Sequence, residues 1–84
     1  MQLAYDATWI EEVVINELGD FSHAVHAQKR FSTQKEAAKY AEEMAAKGEA
    51  PYWHRVEEYM YEEEYADWCN TGLYLESGEF VSAD

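Results

Sequence analysis

Between Thr33 and Pro51 the apolar residues Ala37, Ala38, Tyr40, Ala41, Met44 and Ala45 recur at intervals of three and four, while Lys35, Lys39, Glu42, Glu43 and Lys47 fall largely between them. This spacing predicts a helix with one face of small apolar side chains and one charged face. Thr33-Gln34-Lys35-Glu36 has the form of a capping box, in which the threonine hydroxyl and the glutamate carboxylate serve amides that lack helical partners. Gly48 supplies a left-handed stop and Pro51 forbids continuation, so the helix is expected over 34–47.

Outside this stretch the pattern is mostly that of strands. Thr8 to Glu17 is two-sided: Thr8-Trp9-Ile10-Glu11 could open a helix, yet Val13-Val14-Ile15 is β-branched and favours a strand. Leu18-Gly19-Asp20 offers turn chemistry, and Phe21, His23, Val25 and Ala27 then alternate with Ser22, Ala24, His26 and Gln28. A β-hairpin is therefore expected over about 9–31, and a third strand over Tyr52 to Tyr61, entered after Pro51. From Glu62 the offsets of Tyr61, Tyr65, Trp68 and Cys69, acids in the first turn and Gly72 as a stop predict a short second helix. Leu73 to Val81 reads as two short strands around Ser77-Gly78. The order gives an α+β fold: a small antiparallel sheet with the main helix packed on one face, in one domain spanning 1–84.

Composition narrows what such a domain can do. Asp and Glu number 18 against 6 Lys and Arg, a net charge of −12, which disfavours direct binding to nucleic acid or to an anionic membrane. An apolar share of 48% with 15% aromatic residues sets the chain apart from disordered acidic tails. Trp9 and Trp53 are expected to fill the core. With a single cysteine, Cys69, and no secretion-like leader in the first residues, the expected compartment is the cytoplasm, and Cys69 is expected to be a buried or merely tolerated thiol.

Candidate chemistry is sparse. His23 and His26 differ in parity and would face opposite sides of a strand, and no loop carries the alternating oxygen ligands of a cation site, so no metal or other cofactor is expected. Gly19, Gly48, Gly72 and Gly78 are dispersed, which leaves no phosphate-cradling loop. Paired carboxylates would need a water-excluding cleft that 84 residues hardly build, so no enzyme is expected.

The distribution of charge is more informative than its total. Residues 1–28 hold five acids and no Lys or Arg, residues 29–47 three acids and five bases, and residues 48–84 ten acids and Arg55 alone. Lys29, Arg30, Lys35 and Lys39 are expected to pair internally with Glu36 and Glu43. In the last block Glu57, Glu58, Glu62, Glu63, Glu64 and Asp67 are interleaved with Tyr59, Tyr61, Tyr65 and Trp68. One reading is a solvated face that keeps a small domain soluble. The other is a surface shaped for a partner of opposite sign, since clustered like charges repel one another and ordinary surfaces mix both signs.

In size, charge and the Glu57–Asp67 cluster with its aromatics, the chain resembles the small acidic inhibitors encoded by bacteriophages, including the nucleic-acid-mimicking anti-restriction and anti-CRISPR proteins. The resemblance implies a host defence complex as target. The expected partner is a protein with a basic nucleic-acid-binding groove, and the expected contact set is Glu57, Glu58, Tyr59, Glu62, Glu63, Glu64, Tyr65, Asp67 and Trp68, with Glu11, Glu12 and Glu17 as an extension. The alternative is an acidic adaptor module that binds a protein through an aromatic patch including Tyr59, Tyr65 or Trp68.

Overall fold

A computed structural model describes residues 2–84. Five strands and one helix follow in the order β1 Leu3–Ile15, β2 Phe21–Phe31, α1 Gln34–Ala46, β3 His54–Glu62, β4 Asp67–Tyr74 and β5 Phe80–Ser82. All five strands join one antiparallel sheet in the order β2-β1-β3-β4-β5, with α1 packed against one face. The chain is thus a small α+β domain, as its periodicity predicts.

The helix forms where its signals lie. Thr33 accepts a hydrogen bond from the Glu36 amide at 3.2 Å, and its hydroxyl donates to the Glu36 carboxylate at 2.8 Å, so the reciprocal contact of the capping box runs through the hydroxyl. At the other end Gly48, at φ +80°, lets its amide reach Ala45 O and the Glu49 amide reach Met44 O. Between the caps Ala37 and Ala41 are fully covered, and their small size lets the helix sit close on Ala7, Trp9 and Val56 of the sheet. Among the described residues no bulky side chain is completely enclosed, so the apolar core is thin.

Three expectations need correction. The first strand starts at Leu3, six residues before the predicted hairpin, because β1 is the central strand. Held between β2 and β3, it buries Ala4, Asp6 and Thr8 on one face as well as Ala7 and Trp9 on the other, and so lacks a clean alternation. The segment after Glu62 is a turn and then β4, and no second helix forms among the described residues. Its helical offsets arise from a hairpin in which Tyr61 stands opposite Trp68, their rings 5.2 Å apart. Gly72 is accordingly no helix stop: it sits in β4 at φ +154°, where a Cβ would come within 2.5 Å of the Phe80 ring and of Val81 O. Finally, Trp9 joins the core, whereas Trp53 lies outside it, half-buried beneath the Arg55 guanidinium at 4.3 Å.

Candidate functional site: an acidic hairpin tip and an open sheet face

Strand alternation divides the predicted contact set. Glu58 stands opposite Tyr5 on the helix side, where its carboxylate accepts a 2.6 Å bond from the Thr71 hydroxyl. Burial and the adjacent Glu58 carboxylate push the Tyr5 hydroxyl above its ordinary pKa. Glu57 and Tyr59 point to the face that no helix covers, opposite Asp6 and Ala4.

On that open face the side chains satisfy one another. Asp6 is only 2% exposed and accepts two bonds from Arg30, at 2.7 and 3.1 Å. This pairing holds the guanidinium pKa above its usual value, chiefly through the hydrogen bond to Asp6. The same guanidinium lies over the rings of Tyr59 and Trp68, at 5.2 and 5.0 Å. Tyr59 in turn donates a 2.6 Å bond to Glu57, and Glu57 pairs with Arg55 at 3.6 Å. Burial, then the Glu57 carboxylate, push the Tyr59 hydroxyl up to about 12. Arg55, stacked on Trp53, extends the ladder toward His26, whose ring lies 6.0 Å from the Trp53 ring.

Glu57, Tyr59 and Trp68 are therefore engaged within the domain, which weakens the case for an aromatic docking patch built from them. The expected pairing of Lys29, Arg30, Lys35 and Lys39 with Glu36 and Glu43 is also revised. Arg30 pairs with Asp6 of the neighbouring strand, and Lys29 lies over Tyr40 and Phe31, at 4.6 and 5.6 Å.

What remains outward is the β3–β4 tip. Glu63, Glu64, Tyr65 and Ala66 form the turn, held by bonds from the Tyr65 amide to Glu62 O and from the Ala66 amide to Glu63 O, both 3.2 Å. Ala66 takes φ +50°, a left-handed conformation that costs an alanine on the order of 1 kcal/mol. Tyr65 projects at 71% exposure. Glu62 and Asp67 flank this turn, and neither they nor Glu63 and Glu64 within it form an ion pair among the described residues.

The proposed extension by Glu11, Glu12 and Glu17 is not part of this surface. β1 runs antiparallel to β3 with Leu3 opposite Met60, so those acids lie toward the far end of the sheet, about 26 Å along the strand from Leu3 to Glu11 at 3.3 Å per residue. Sequence reasoning also missed the pairing of the buried Asp6 carboxylate with the more exposed Arg30; the local hint was an acid flanked by Leu3, Ala4, Tyr5 and Ala7.

Among the described residues no group of three or more His, Cys, Asp or Glu side chains is arranged to hold a metal ion, and no helix is long and apolar enough to cross a membrane. Cys69 is exposed on β4. Compared with known proteins, the chain matches no family model, no curated protein and no solved structure.

Proposed function

We propose that this chain is a non-enzymatic inhibitor whose β3–β4 tip enters a basic nucleic-acid-binding groove on a host defence or nucleic-acid-processing protein and takes the place of the phosphate backbone. The observation that carries this reading is the tip itself: four carboxylates, Glu62, Glu63, Glu64 and Asp67, at a hydrogen-bonded turn, with no ion pair to any of them among the described residues. Clustered charge of one sign on a fixed scaffold steers a cationic partner and makes association fast and salt-dependent. Tyr65, exposed at the turn, supplies contact area that carboxylates lack.

The test is capture of partners from host lysate on the intact chain at low and at high salt, followed by addition of DNA or RNA. The expected result is a captured nucleic-acid-binding protein that high salt weakens and nucleic acid displaces, and that the triple variant Glu62→Lys, Glu63→Lys, Glu64→Lys no longer holds while remaining folded. A folded triple variant that still binds, or a target that keeps its nucleic acid while complexed, overturns the reading.

A further inference from the structure

The two edges of the sheet are unlike. β5 is three residues long and offers little to pair with. β2 runs for eleven residues, joins β1 on one side only, and leaves its other side without a strand neighbour. Natural sheets guard long edges with proline, bulges or charged side chains. β2 contains no proline, and of its two register shifts with β1 one falls at the Phe21–His23 end while the other, opposite Val25 and His26, puts the extra residue, Glu11, on β1. Its two cations are drawn elsewhere, Arg30 onto Asp6 and Lys29 over the Phe31 and Tyr40 rings. The strand also carries none of the chain's 18 acids.

We propose that β2 pairs antiparallel with β2 of a second copy, about a two-fold axis near His26, and joins the two sheets into one. Charge favours this occupant over an unrelated strand. Antiparallel pairing about His26 brings the Phe21 end of each β2 beside the Phe31 end of the other. The β1–β2 turn, with Glu17 and Asp20, then approaches the second copy's segment from Lys29 to Lys39, where, with Arg30 already paired to Asp6, Lys29, Lys35 and Lys39 stand against the single acid Glu36. Opposite charges meet twice, once on each side of the axis, and the acid-rich β3–β5 regions lie at the outer ends of the joined sheet.

The same arrangement accounts for apolar surface that the monomer leaves in water. The turn is ordered: the Asn16 side chain accepts from the Leu18 and Asp20 amides at 2.9 and 3.0 Å, yet it holds Leu18 out at 87% exposure, with Phe21 at 63%. Pairing lays Phe21 alongside the second copy's Phe31 and brings Leu18 near the start of its helix. An interface made twice from one self-complementary strand is the isologous contact common in symmetric dimers. This pairing is independent of the proposed role of the β3–β4 tip, which stays exposed in it.

The test is sedimentation velocity of the intact chain over a concentration series, with cysteine cross-linking in a Cys69→Ser background. The expected result is a concentration-dependent species of twice the 9.8 kDa chain mass. His26→Cys should form a disulfide-linked dimer on oxidation, Glu79→Cys on the opposite edge should not, and His26→Glu should give a folded monomer by circular dichroism. A monomer at every concentration overturns the proposal and leaves the edge to a strand of another protein. So does a dimer in which Glu79→Cys cross-links as readily as His26→Cys.

Discussion

On the helix side of β1, Tyr5, Ala7 and Trp9 are covered by α1 and by apolar neighbours; on the other side, Ala4, Asp6 and Thr8 reach the same degree of burial with no element laid over them. The first face excludes water by close packing of small residues, with Ala37 and Ala41 against the strand. The second excludes it with long side chains from adjacent strands, Arg30, Tyr59 and Trp68, which lie down over a buried carboxylate. A thin core thus gains a second layer from polar and aromatic groups that would ordinarily count as surface. The cost is vulnerability: each member of that layer is tolerable in a dry site only while its partner is present.

The sharpest way to break the comparison is to remove one partner from the open face. Arg30→Met keeps the aliphatic stem but leaves Asp6 buried without its cation, and is expected to lower unfolding stability by about 3–5 kcal/mol in urea titrations. Adding Asp6→Val to that variant should recover much of the loss, since two apolar groups leave no charge stranded. A double variant as unstable as the single would mean that stacking, and not the ion pair, holds the face together.

A smaller effect is expected on the helix face. Ala41→Leu adds bulk where α1 packs against the sheet and should cost about 1–3 kcal/mol by the same measurement. Smaller still is the alkaline signature of the open face. The Tyr59 pKa is raised from 10.0 to about 12, so between those values the unfolded chain releases a proton that the folded chain retains. This contribution to stability is intact below pH 10 and fades as pH rises toward 12. Tyr59→Phe should therefore lose stability less steeply over that window, as read from urea midpoints at successive pH values.

Much of the architecture is legible in the sequence because its signals act over a few residues. The Thr33 and Gly48 caps bound the helix, Leu18-Gly19-Asp20 turns the first hairpin, and Ser77-Gly78 turns the last. The second predicted helix failed for an instructive reason: Tyr61, Tyr65, Trp68 and Cys69 fit a helical repeat equally well when they flank a turn, and only cross-strand pairing distinguishes the two. Gly72 was read as a stop for want of any local sign that β5 would pass so close to it.

The candidate site was legible as a cluster but not as a surface. Six acids within eleven residues stand out in the sequence, yet adjacent strand residues face opposite sides, so Glu57 and Glu58 part company and the exposed set contracts to the hairpin tip.

Composition, periodicity and capping, all local properties, determined that this chain makes an acidic α+β domain with one well-bounded helix and several strands. Tertiary structure alone decided that Asp6 meets Arg30, that Tyr59 and Trp68 cover their contact, and that β2 is left as an open edge. The physical reason is range: caps and turns are written into neighbouring residues, whereas an ion pair that covers a buried carboxylate from 24 residues away exists only once strand register has brought its two halves together.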